Sequence, residues 1–184
     1  MRLILIGPQG SGKGTQGDRL AKRYGVAHIA TGDLLRAAAT TGTELGLRAK
    51  NYMDRGELVP DELVLAILET RLAASDAEVG FVLDGYPRNA AQVASLTAML
   101  GALDHELDAV VSLEVPGEIL VARMSQRGRA DDTPEAIRRR LDLFWQQTAP
   151  LLEHYERGGL LERVDGVGEK EEVEERVAKA LADR

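Results

Sequence analysis

The segment Gly7-Pro8-Gln9-Gly10-Ser11-Gly12-Lys13-Gly14-Thr15 sets closely spaced glycines before a lysine and a threonine, directly behind the apolar run Leu3-Ile4-Leu5-Ile6. Such a turn aims successive backbone N–H groups at one point, and the positive end of a following helix reinforces them. Lys13 then brings a full charge to the outer phosphates of a nucleoside triphosphate. A simple glycine turn between a strand and a helix has no use for that lysine. The next position, where a metal-binding hydroxyl is usual, is Gly14, with Thr15 one step later. The segment therefore predicts phosphate binding, and a direct hydroxyl–magnesium contact only weakly.

Three further groups of residues carry chemistry. In Phe81-Val82-Leu83-Asp84-Gly85-Tyr86-Pro87-Arg88, an aspartate ends an apolar run. There it can hold the waters of a bound Mg²⁺, while Gly85 admits a ligand and Arg88 offers a phosphate fork. Alone, Asp84 has a helix or turn cap as its lesser alternative. In Thr31-Gly32-Asp33-Leu34-Leu35-Arg36, Thr31 and Asp33 suit a helix start, and Arg36 follows on its first turns. The third group is Arg123, Arg127, Arg129, Asp131, Asp132, Arg138, Arg139 and Arg140. Arg123 and Arg127 share a helical face at a spacing of four. Read beside a phosphate loop, this run predicts a cationic lid whose arginines Asp131 and Asp132 hold in register. Arg138 and Arg139 read as surface residues.

Gathered in one cleft, Lys13, Arg36, Arg88, Arg123, Arg127, Arg129 and Arg140 exceed the positive charge that one magnesium triphosphate requires. Two phosphorylated ligands are implied. His28, His105 and His154 belong to no motif, so no base is apparent. None is required when the acceptor is itself a phosphate, already anionic at neutral pH. Positioning and cationic stabilisation then suffice, with a lid excluding water.

Short apolar runs alternating with helical stretches predict a parallel sheet covered by helices on both faces. Strands are expected over residues 2–6, 27–30, 80–83, 109–114 and 161–164. Helices are expected over 14–24 (closed by Gly25), 61–75, 89–100, 117–126, 134–155 and 169–182. Residues 31–59, punctuated by Gly42, Gly46 and Gly56, form a helical insert. Both this insert and the Arg/Asp-rich loop lie at the sheet edge where ligands of open α/β folds bind.

At 184 residues the chain is read as a single domain. Its 23 Lys+Arg against 30 Asp+Glu give a net charge of −7, which disfavours nucleic acid and membrane surfaces, both polyanionic. With no cysteine there is no disulfide and no Cys-ligated zinc. No signal peptide and no membrane-spanning run is recognised, so a cytoplasmic location is expected, with a monomer as the default.

In order and spacing, residues 7–15, 31–36, 84–88 and the Arg129-Ala130-Asp131-Asp132 lid resemble the nucleoside monophosphate kinases, specifically the adenylate kinases. The resemblance covers essentially the whole chain. It implies a three-layer α/β P-loop fold with a five-stranded parallel sheet. It also implies an AMP-binding flap at 31–59, a short lid at 126–133, and the reversible reaction of ATP with AMP to two ADP with Mg²⁺. By position, Gly10, Ser11, Gly12, Lys13, Gly14 and Thr15 hold the ATP phosphates. Arg123 lies on the ATP base, Arg127 reaches the phosphates, and Gly168 offers backbone to the base. On the AMP side Thr31, Gln92 and the backbone of Glu57, Leu58 and Val59 surround the adenine, with Met53 lining the pocket. Gly85, Tyr86 and Pro87 complete that wall. Arg36 and Arg88 grip the AMP phosphate, and Arg129 and Arg140 bridge toward the transferred group. Asp84 holds Mg²⁺ through water.

Departures from the family pattern are informative. Many bacterial members carry a longer lid, often with a zinc-binding cysteine cluster; here the lid is short and has no cysteine. Where many members have a lysine near the last strand, this chain has Gly168, so only a backbone contact is inherited. Gly14 matches the family's own variant of the loop. The Tyr86-Pro87-Arg88-Asn89 segment also resembles the UMP/CMP kinases, whereas Thr31 and Gln92 favour adenine. A non-catalytic adenine-nucleotide sensor is a further alternative. A GTPase-like switch is disfavoured, because no guanine-reading Asn-Lys-x-Asp segment is present.

Overall fold

A computed structural model describes residues 1–129 and 131–184; Ala130, inside the predicted lid, lies outside the described residues. Five strands, β1 (Arg2–Ile6), β2 (Ala27–Ala30), β3 (Phe81–Asp84), β4 (Ala109–Glu114) and β5 (Leu161–Asp165), form one sheet in the order β2-β3-β1-β4-β5. Every pairing is parallel. Strand alternation divides the core. Leu3 and Leu5 of β1 face helices α1 (Lys13–Tyr24) and α10 (Lys170–Ala180), where they meet Leu20, Val173 and Val177. Ile4 and Ile6 face the opposite layer, which includes Leu68 of α4 (Asp61–Leu72), Leu96 of α6 (Ala90–Ala102) and Tyr155 of α9 (Leu151–Arg157). The result is the expected three-layer α/β arrangement with helices on both faces.

Because β3 lies between β1 and β2, the chain turns after β1, β2 and β3 open side by side at one sheet edge. Residues 7–15, 31–36 and 85–88 leave from these three strand ends. Within residues 31–59 run two helices, α2 (Thr31–Thr40) and α3 (Glu44–Asp54). Thr43 caps α3, accepting from the Gly46 N–H at 3.1 Å and donating to the Ala38 carbonyl at 3.0 Å. Gly46 is there for space. A Cβ on it would stand 2.1 Å from the Ala38 backbone. Gly46→Ala is therefore expected to cost roughly 1–3 kcal/mol by overpacking. That lowers the melting temperature by about 2–4 °C per kcal/mol in a chain of this size. An unchanged melting curve would mean that the two helices are not held at this separation.

Two helices differ from expectation. The predicted helix 61–75 ends at Leu72, and α5 (Ser75–Glu78) follows after an extended Ala74. Arg71 closes that turn with a two-point bond to Asp76, at 2.8 and 2.7 Å. The predicted helix 134–155 is divided into α8 (Pro134–Leu143), a π-helical turn Phe144–Thr148, and α9. Pro150 is the physical reason: it has no N–H to continue the ladder. The Ala149 N–H instead bonds five residues back, to the Phe144 carbonyl.

Candidate active site

The turn after β1 is built on glycines that no other residue could replace without strain. Gly10 has φ +86°, and a Cβ there would lie 2.8 Å from the carbonyl of Leu120 in α7 (Gly117–Arg127). Gly12, at φ +98°, is the N-cap of α1. Lys13 begins that helix, and its Nζ donates to the Gly7 and Pro8 carbonyls at 2.7 and 3.0 Å. Burial lowers its pKa to about 8. The Asp84 carboxylate opposes this shift, and the Arg88 and Arg127 guanidiniums add to it.

The turn after β3 positions Arg88 from three sides. Its Nε donates to the Gly85 carbonyl at 2.6 Å, its N–H donates to Gln92 Oε1 at 2.7 Å, and its carbonyl accepts from Thr148 Oγ1 at 2.8 Å. Burial, partly offset by Asp84 and reinforced by Arg140 and Arg36, lowers its pKa. Gly85 (φ +84°) leaves room for this: a Cβ would press on Thr31 Oγ1 at 2.7 Å and on the Arg88 guanidinium at 3.1 Å. Thr31 in turn donates to the Asp84 carbonyl at 3.1 Å, tying β2 to β3. The Tyr86–Pro87 peptide is cis.

Between α7 and α8 the arginines and the two aspartates interlock. Arg127 places a fork on Asp132, at 2.9 and 2.7 Å. Arg140 shares the same carboxylate at 2.8 Å, pairs with Asp131, and donates to the Met53 carbonyl at 2.9 Å. Burial raises the Asp132 pKa, but the bonded Arg127 and the nearby Arg140 and Arg129 outweigh it, and the carboxyl ends below its ordinary range. The expected register-holding role of the aspartates is thus visible as geometry. Arg129 stands 3.6 Å from Asp33 of α2, which also pairs with Arg36. Arg123 reaches back to the Gly10 and Gly166 carbonyls at 3.3–3.4 Å.

These elements enclose two cavities. One, of about 100 Å³, lies between α2, α3 and the turn after β3, and is walled by Thr31, Met53, Glu57, Leu58, Val59 and Gln92. The same wall includes Gly85, Tyr86, Pro87 and Arg140. The other, of about 810 Å³, is lined by Gly10, Ser11, Gly12, Gly14 and Thr15, and by Asp84, Arg123, Arg127 and Gly168. Lys13, Arg36 and Arg88 border both cavities, so the two meet across these three cations. Arg129 borders only the larger one and Arg140 only the smaller, so the two residues expected to bridge them stand on opposite sides.

Two features escaped the sequence reading. Gln9, also common to both cavities, has no charge to single it out. His28 lies on the wall of the larger cavity, 2.7 Å from Asp18, and fills the space where a Cβ on Gly17 would stand. The alternation of β2, which turns His28 away from the buried Ile29, was the available signal.

A family model described as adenylate kinase matches residues 5–160. The chain belongs to the adenylate kinase family. An adenylate kinase of Stenotrophomonas maltophilia (strain K279a) is 52% identical over 185 residues, covering 98% of this chain and 99% of its own length. Adenylate kinases of Xanthomonas euvesicatoria pv. vesicatoria (strain 85-10) and Xanthomonas campestris pv. campestris (strain 8004) match with the same identity and coverage. The matched length of 185 residues agrees with a short connection between α7 and α8 in this chain.

Among the described residues no group of three or more His, Cys, Asp or Glu side chains is suited to a metal, and no helix is long and apolar enough to cross a membrane. A magnesium ion brought by a nucleotide asks for less. Asp84 ends β3 on the wall of the larger cavity, with Oδ2 3.7 Å from where a Gly14 Cβ would stand. One carboxylate, with waters and phosphate oxygens supplying the rest, suits Mg²⁺.

Proposed function

We infer that the protein transfers the terminal phosphoryl group of ATP to AMP, reversibly, giving two ADP. The observation that carries this reading is the meeting of two cavities across Lys13, Arg36 and Arg88. The larger takes ATP on the glycine-rich turn, with Arg123 and the Gly168 backbone toward its base and Arg127 on its phosphates. The smaller takes AMP, with Thr31, Gln92 and residues 57–59 around the adenine, Met53 beside it and Arg36 and Arg88 on the phosphate. Residues 31–59 act as the AMP flap and residues 126–133 as the lid. Mg²⁺ held through water at Asp84 would neutralise charge on the ATP phosphates.

In the reaction an AMP phosphate oxygen forms a bond to the γ-phosphorus as the bond to the β,γ-bridging oxygen breaks. No proton has to be removed from the acceptor, which suits a site without a base. Arg88 and Lys13 hold the two anions in line and stabilise charge on the equatorial oxygens. Arg129 and Arg140 reach the transferred group from opposite sides as the lid closes. The protein is proposed to work as a cytoplasmic monomer.

A coupled assay with AMP, CMP, UMP and GMP as acceptors tests the reading. AMP is expected to turn over fastest. Faster turnover with UMP or CMP would make this a pyrimidine nucleotide kinase. No turnover with any of the four would make it a sensor.

A further inference from the structure

Gln92 is 2% exposed and lines the smaller cavity. An amide can be placed either way round, but here its two ends have partners of opposite kind. Gln92 Oε1 accepts from the Arg88 backbone N–H at 2.7 Å, a group that can only donate. Gln92 Nε2 donates to Asp61 Oδ1 at 2.6 Å, and an ionised carboxylate can only accept. Turning the amide over would set N–H against N–H and oxygen against carboxylate. Asn89 holds the same carboxylate in place from Nδ2 at 3.3 and 3.5 Å, while its Oδ1 caps α6 by accepting from the Gln92 N–H at 2.8 Å. Asp61 itself is not part of the cavity wall.

This orientation has a chemical meaning at a purine. Adenine presents N6–H as donor and N1 as acceptor; a 6-oxopurine presents O6 as acceptor and N1–H as donor. One setting of the amide, oxygen toward the 6-position and N–H toward N1, pairs with adenine. The reverse setting pairs with the 6-oxopurine.

We propose that Asp61 is the positioning residue that locks the Gln92 amide in one setting and so makes the acceptor site select a 6-aminopurine over a 6-oxopurine nucleotide. The proposal rests on the reading that Gln92 faces the acceptor base. Asp61 acts only through Gln92. With that carboxylate replaced by an apolar group, only the Arg88 N–H still favours this setting, and the discrimination weakens.

The test measures kcat/KM for AMP and for IMP, which differ at the 6-position and its N1 proton, in the wild type, Asp61→Leu, Asp61→Asn and Gln92→Leu. Asp61→Leu is expected to reduce the AMP-over-IMP preference by about tenfold or more, through a higher KM for AMP and a lower KM for IMP, with kcat for AMP nearly unchanged. Asp61→Asn keeps an acceptor oxygen and is expected to retain most of the preference. The preference is a ratio within one preparation, so loss of folded protein, read separately by the melting temperature, does not move it. If Gln92→Leu collapses the preference but Asp61→Leu leaves it intact, the positioning role is overturned and the reading of Gln92 stands. If Gln92→Leu also leaves it intact, the base is read elsewhere and the underlying assignment fails.

Discussion

Arg88→Ala is expected to lower turnover by about three orders of magnitude while ATP binding weakens only slightly. Arg88 is anchored through its Nε, N–H and carbonyl to Gly85, Gln92 and Thr148, leaving the terminal guanidinium nitrogens at the junction of the two cavities. A group held this rigidly at the junction contributes most when charge spreads over the phosphoryl group in flight. The loss should therefore fall on kcat as well as on kcat/KM for AMP, the pattern of an interaction made in the transition state. Arg88→Lys preserves charge but not the planar fork, and partial recovery is expected. A rise in KM for AMP with kcat unchanged would reduce Arg88 to a ground-state binding group.

The second large effect concerns Lys13. Its pKa of about 8, set first by burial, makes it a charged partner for phosphate below that pH and a neutral amine above it. Affinity of the free protein for ATP is therefore expected to fall as pH rises through about 8. Bound phosphates favour the ammonium, so kcat at saturating ATP changes less over the same range. Lys13→Gln is expected to cost about 10²–10³-fold in turnover, and to remove the alkaline fall in affinity. Titrating ATP binding by calorimetry from pH 7 to 9 in both proteins checks this. A fall of equal slope in the variant would assign the titration to another group.

Much of this site could be read from residue types in order. The glycine spacing before Lys13 and the aspartate ending an apolar run each specify a local geometry, and the strands appear within a residue of the expected positions. What escaped was relational. Asp61 is legible in the sequence only as the first residue of the helix expected over 61–75, because its partner Gln92 is thirty-one positions away on another helix. The break of the helix at Ala149–Pro150 was missed because the apolar spacing of Phe144, Leu151 and Tyr155 runs straight through the proline. Periodicity records which residues are buried, and Phe144, Leu151 and Tyr155 are buried in one cluster on both sides of the π-helical turn, so the pattern does not register the change of ladder. Arg140 was expected to bridge toward ligand. That it also ties the turn after α7 to the Met53 carbonyl depends on the end of α3 coming within reach of an α8 side chain, which no local pattern encodes.

The carboxylate of Asp132 is 2% exposed and shared by two guanidiniums. The turn between α7 and α8 thus carries its own surrogate anion for Arg127 and Arg140. An incoming ligand must outbid a preorganised, two-point carboxylate, which a lone inorganic phosphate does poorly and a chain of linked phosphates does well, because each link raises the local concentration of the next.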